Sequence, residues 1–74
     1  MNELEIALAP MHRLCEKAGA DRVSEAAAHE LGRVLGKIGL RIAEEALDYA
    51  TYAGRKTIKT EDIEIAVRKV IGKW

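Results

Sequence analysis

The residues best placed to do chemistry lie in one ten-residue stretch, Gly54-Arg55-Lys56-Thr57-Ile58-Lys59-Thr60-Glu61-Asp62-Ile63. Gly54 suits the left-handed turn that ends a helix, the β-branched pair Thr57 and Ile58 favours extended backbone, and Thr60 suits the cap of a following helix. Arg55, Lys56 and Lys59 then stand beside helix-terminal N–H groups and hydroxyls. Cations and free backbone donors at one spot fit a phosphate far better than an apolar ligand.

Other chemistry has little support in the sequence. No nucleophile–base pair, phosphate-cradling glycine loop or metal-ligand cluster is apparent, so no enzyme, cofactor or metal is expected. His12 and His29 lack metal-ligand spacing and read as exposed helix residues. The lone Cys15 cannot form an internal disulfide, which makes a reducing, intracellular setting the default, and it reads as a small buried helix residue. Glu44, Glu45 and Asp48, with Glu61 and Glu64, read first as a solvated acidic face; the alternative is that they meet another protein or the cations of another dimer.

The elements that must position the basic stretch follow from size and pattern. With 74 residues, one Trp, two Tyr and no Phe, a single domain spanning 1–74 would have a marginal core of its own and is expected to share one with a partner. Hydrophobic residues make up 49% and charged residues 32%, the balance of an Ala/Leu/Ile/Glu/Lys-rich helical protein. Met1-Asn2-Glu3-Leu4-Glu5 lacks the basic start and apolar run of a signal peptide, and no window approaches a membrane span, so a cytoplasmic location is expected. Twelve Lys and Arg balance 12 Asp and Glu. Composition therefore says nothing in favour of nucleic acid, and any such reading must rest on where the charges lie.

The pattern predicts an all-α chain with helices at about 10–18, 24–53 and 60–71. Pro10 suits a first helical turn and Gly19 a stop, while Met11, Leu14 and Cys15 give the first helix one apolar stripe. After Ala20-Asp21-Arg22-Val23, Ser24 is a good N-cap and Glu25 favours the helix dipole. The second helix then runs unbroken to about Ala53, roughly 30 residues or about 45 Å. Leu31, Leu35, Ile38, Ile42, Tyr49 and Ala53 recur at helical spacing, and Val34, Leu47 and Ala50 widen the stripe. The third helix repeats Ile63, Ala66, Val67 and Val70.

Two short helices can cover the ends of a long one but leave its middle bare. A second copy crossing there is the economical remedy, with Leu31, Leu35, Ile38, Gly39 and Ile42 as the shared core. Gly32, Gly36 and Gly39 fall near that middle, each costing up to about 1 kcal/mol against Ala. Close approach of a crossing helix would offset that cost. For Gly32 and Gly36 the alternative of tolerated, exposed glycines stands beside it.

Short helix, linker, very long helix, linker and short helix is the histone-fold plan, and the chain resembles an archaeal histone. The resemblance is carried by Ala9-Pro10-Met11-His12-Arg13-Leu14, by Ala18-Gly19-Ala20-Asp21-Arg22-Val23-Ser24, and above all by Ala53-Gly54-Arg55-Lys56-Thr57-Ile58-Lys59-Thr60-Glu61-Asp62-Ile63. It covers nearly all of the chain except the first few residues and the Gly72-Lys73-Trp74 tail, where Trp74 reads as a mobile terminal residue. It implies a handshake homodimer, with a heterodimer with another histone as the variant, that bends, wraps or bridges double-stranded DNA with little sequence specificity and associates with the nucleoid. Arg22 and Val23 of one chain would then lie beside Lys56 and Thr57 of the other, and Arg13 would point into a minor groove.

The resemblance also implies a salt bridge between Arg55 and Asp62 that braces the second linker, leaving Lys56 and Thr57 to meet phosphate. Tyr52 stands where many archaeal histones have a His that meets an Asp of the neighbouring dimer, and Tyr49 stands near it where Leu is usual. Tyr49, Tyr52 and Asp62 are thus the expected dimer–dimer surface, either through a Tyr52 hydroxyl bonded to Asp62 or not at all, both tyrosines packing within one dimer. Glu16 replaces an often basic position, and Gly19 matches a small residue that lets successive DNA turns approach, though its use as a helix stop explains it equally. The alternative function is a histone-fold assembly subunit of the CCAAT-binding-factor kind, heterodimeric and weak in DNA binding.

Overall fold

The computed structural model describes residues 8–72; the readings of the Met1–Glu5 start and of Trp74 fall outside them. Three helices follow in order, α1 (Leu8–Lys17), α2 (Glu25–Tyr52) and α3 (Thr60–Ile71), with no strand among the described residues. The chain divides after Lys37 into two compact units, with α2 contributing to both. No described helix is long and apolar enough to cross a membrane.

In the first unit, α1 begins two residues earlier than the expected Pro10. Pro10 is the third helical residue, inside the first turn where no backbone N–H is needed for the ladder. The helix stops at Gly19, whose φ of 111° only glycine adopts readily. There the Gly19 N–H donates to the Glu16 carbonyl at 2.9 Å and the Ala20 N–H to the Cys15 carbonyl at 3.1 Å, which satisfies two helix-end acceptors. Ser24 caps α2 as expected: its Oγ accepts from the Ala27 N–H at 3.0 Å. Met11 and Ala28 are buried, and Cys15 is half-buried.

In the second unit, α2 ends by the same device as α1. The Gly54 N–H donates to the Thr51 carbonyl at 2.9 Å and the Arg55 N–H to the Ala50 carbonyl at 2.8 Å, with Gly54 at φ 78°. Ala46, Ala50 and Ala66 are fully buried. Lys69 of α3 pairs with Glu45 of α2 at 2.9 Å, so Glu45 does not belong to a purely solvated acidic face. Glu44, Asp48, Glu61 and Glu64 are exposed.

What each unit leaves uncovered matters more than what it buries. Among the described residues, the buried apolar side chains are those of Met11 and four alanines, and no large side chain is fully buried. Among the five residues expected at a shared core, Leu35 and Ile38 are exposed, Gly39 is exposed, and Leu31 and Ile42 are half-buried. The chain therefore holds large aliphatic groups at the surface that an isolated helical domain would cover.

Candidate nucleic-acid interface

The second linker, residues 53–59, is held by an ion pair between its own Arg55 and Asp62 of α3. Arg55 Nη1 donates to Asp62 Oδ2 at 2.8 Å and Nη2 to Oδ1 at 3.0 Å, a fork-on-fork ion pair of the strong, directional kind. Nη1 also donates to the Thr57 carbonyl at 3.0 Å. Asp62 Oδ2 accepts a further bond from the Lys59 N–H at 2.8 Å. Arg55, Thr57, Lys59 and Asp62 are thereby locked into one small network.

This network moves the cap of α3. Lys59, not Thr60, is the N-cap residue, and Thr60 is the first residue of the helix. A lysine ammonium has no acceptor, so its side chain cannot close a capping box; the bond made is the return one, from the Lys59 N–H to the Asp62 carboxylate. The ion pair with Arg55 fixes where Asp62 sits, and Asp62 selects Lys59 as the cap.

Asp62 is 2% exposed. The Arg55 guanidinium, and after it the Lys59 N–H, hold its carboxyl at about 2, below the usual 3.8, while Asp62 raises Arg55 above its ordinary value. Because the folded pKa is the lower one, the stabilisation is full above pH about 3.8 and is lost as pH falls through that value towards 2. Asp62→Asn should be less stable at neutral pH and should lack this acid-side fall. Denaturant melts of parent and variant between pH about 5 and about 2 check it; parallel curves would remove Asp62 from the explanation.

With Arg55 turned towards Asp62, the exposed polar side chains of this linker are those of Lys56, Thr57 and Lys59, with Ile58 exposed between them. Among the described residues the side chains of Lys56 and Thr57 enter no hydrogen bond or ion pair. Arg13 on α1 and Arg22 in the first linker are likewise exposed. Charge and hydroxyl donors of this kind suit a phosphate backbone. No three His, Cys, Asp or Glu side chains gather among the described residues in a way that could hold a metal ion.

Residues 4–67 match the family described as histone-like transcription factor (CBF/NF-Y) and archaeal histone. The chain belongs to that family. With its helices in short, long, short order it is an all-α histone-fold protein. Among relatives, this family member is 45% identical to one chain of the archaeal histone HAN1 of Thermococcus zilligii and 47% identical to probable archaeal histone 3 of Methanocaldococcus jannaschii. Each match runs over 64 residues and covers 86% of this chain and 96% of the relative.

Within this histone-fold chain, the three residues expected at a dimer–dimer surface lie in three different environments. Tyr52 is 97% exposed, Tyr49 is half-buried, and Asp62 is buried with both carboxylate oxygens engaged. Sequence reading missed the Lys59 cap, the Arg55 bond to the Thr57 carbonyl and the Glu45–Lys69 pair. Only the last had a readable signal, opposite charges on two helices, and nothing in the sequence said that they meet. The exposed Glu30–Arg33 pair on α2 is an ordinary one-turn helix pair.

Proposed function

We propose that this chain is a chromatin protein: a homodimer that binds double-stranded DNA without strict sequence preference and bends, wraps or bridges it on the chromosome. The observation that carries the DNA part is the braced second linker, which leaves Lys56 and Thr57 exposed. Arg22 supplies the matching cation from the first linker of the other chain, and Arg13 favours a narrow minor groove. Arg55 acts as the brace. Electrophoretic shifts on several unrelated duplexes test the reading. Binding to one sequence only, or none at low salt, would sink it.

Exposed apolar side chains support the dimer. Leu35 and Ile38 of α2 are exposed and Leu31 and Ile42 only half-buried, so the helix keeps an apolar stripe that a second chain would cover. Family membership points the same way.

The balanced charge favours one second reading, a histone-fold assembly subunit that pairs with a different chain and contributes few DNA contacts. It also makes DNA affinity modest and salt-sensitive under the first reading. Failure of the purified chain to self-associate, with stable pairing to another histone-fold chain, would shift the balance to this view.

For higher assembly, we assign the exposed Tyr52 ring to the surface between neighbouring dimers, through apolar contact and not through a hydroxyl bond to Asp62, whose oxygens face inward. Tyr52→Ala should leave the dimer intact and reduce the mass of assemblies on long duplexes in light scattering. Unchanged assembly mass would instead place both tyrosines within one dimer.

A further inference from the structure

α2 is one continuous helix from Glu25 to Tyr52, and Arg33, Lys37 and Arg41 stand on it at successive steps of four. Steps of four keep side chains on one inclined ridge of a helix, each about 6 Å further along the axis. All three residues are exposed. Lys37 has two cations and no carboxylate beside it, because the residues one turn away are Arg33, Val34, Leu40 and Arg41. Solvated helix faces ordinarily alternate in sign, whereas like charges four apart destabilise the helix. Among the described residues only Arg33 of the three has a partner: its Nε donates to Glu30 Oε1 at 3.0 Å, in a pair whose side chains are 43% and 60% exposed. Such an open pair is weak, and a phosphate can take the place of Glu30.

We propose that this ridge is a second phosphate site, which holds a further segment of duplex DNA while the linkers hold the first. The inference rests on the DNA-binding reading above and adds the site from which bridging follows. Distance separates the two sites. Counting from Glu25 and Tyr52, Lys37 lies about 18 and 22 Å along the axis from the ends of α2, more than twice the Debye length of about 8 Å at physiological salt. Its charge therefore contributes little to the field at either linker of the same chain and faces a ligand of its own. Glu30 and Glu44 bound the ridge at its two ends, so a duplex meets it crosswise, over about 12 Å. Phosphates at that spot replace the repulsion among the three cations with counterion release, and they need no pocket.

Co-capture of two short duplexes of unrelated sequence tests it, one immobilised and one labelled, both too short to loop back onto the protein. Parent protein should retain both. The double variant Lys37→Gln/Arg41→Gln should bind the immobilised duplex with a Kd within about twofold of parent and retain the labelled one about tenfold less or weaker still. Its Tm should equal or exceed that of parent, because the like-charge pairs are gone. Labelled duplex retained as well by the double variant as by parent overturns the inference. Equal weakening for both duplexes also overturns it, by making the ridge part of the first site. A parent that binds the immobilised duplex and retains no second one overturns the inference and leaves DNA binding standing; a parent that binds neither overturns both.

Two controls close the remaining routes. Tyr52→Ala separates a ridge from contact between dimers: second-duplex retention lost in Tyr52→Ala and kept in the ridge variant contradicts the inference. Polyglutamate that displaces the labelled duplex at a lower charge concentration than free duplex does would assign the ridge to an acidic protein instead. Lys37→Gln alone, expected to retain an intermediate amount, keeps the test open if the double variant fails to fold.

Discussion

Replacing Arg55 by alanine is expected to lower Tm by roughly 10 °C or more at fixed protein concentration. The reason is what the substitution leaves behind. Asp62, 2% exposed with Arg55 in place, keeps only the Lys59 N–H as a partner and loses the cation that balances its charge. Removing one member of a buried pair costs more than the pair contributes, because the other charge remains unpaired. Asp62→Ala should cost less, since the Arg55 side chain is 28% exposed and can turn its guanidinium to water. The two changes together should cost less than their sum. DNA binding by Arg55→Ala should also weaken, because the linker that presents Lys56 and Thr57 loses the bond to the Thr57 carbonyl. An unchanged Tm for Arg55→Ala would show that the guanidinium is not a brace.

Lys56→Ala should do the reverse, leaving Tm within a degree or two and weakening DNA binding. Lys56 is exposed and enters no ion pair among the described residues, so its removal strands no buried group. In a homodimer each substitution removes two phosphate contacts. Counterion release contributes about 0.9 decade per contact per decade of salt, so the loss should be roughly fiftyfold near 0.1 M salt and should vanish towards 1 M. The slope of log affinity against log salt should become shallower by about 1.8. The loss should be alike on unrelated duplexes, since a phosphate ligand carries no sequence information. A sequence-dependent loss, or an unchanged slope, would remove Lys56 from the phosphate surface.

The helices were legible because their ends are written in local chemistry. Ser24 before Glu25, and Gly19 and Gly54 after apolar runs, are signals whose mechanism does not depend on distant residues. The uncovered apolar surface was legible too. A helix of 28 residues with an apolar stripe wider than two short helices can cover points to a second chain. The brace was not legible from spacing: Arg55 and Asp62 are seven residues apart across a linker, where no helix or strand period applies, and only the resemblance to archaeal histones suggested the pair. The α3 cap was misplaced by one residue because Thr60 is the better intrinsic cap, whereas the tertiary position of Asp62 selects Lys59. The same network explains why Asp62, read as a bond acceptor for a neighbouring dimer, turns out to be occupied within its own chain.

The balanced charge makes the arrangement of cations, and not their number, the basis of the account. Twelve positive and 12 negative side chains give no general attraction to DNA, so the proposed binding requires Arg13, Arg22, Lys56 and Thr57 to be brought to one surface by two chains. A single chain carries each linker once. The dimer and the DNA surface are therefore one claim.

Light scattering of the purified chain, alone and with two unrelated duplexes across a salt series, tests that claim most directly. A species of twice the 8.2 kDa chain mass is expected at every salt concentration without DNA, and comparable binding to both duplexes that weakens steadily as salt rises. A chain that remains monomeric when free and binds neither duplex at low salt would contradict it.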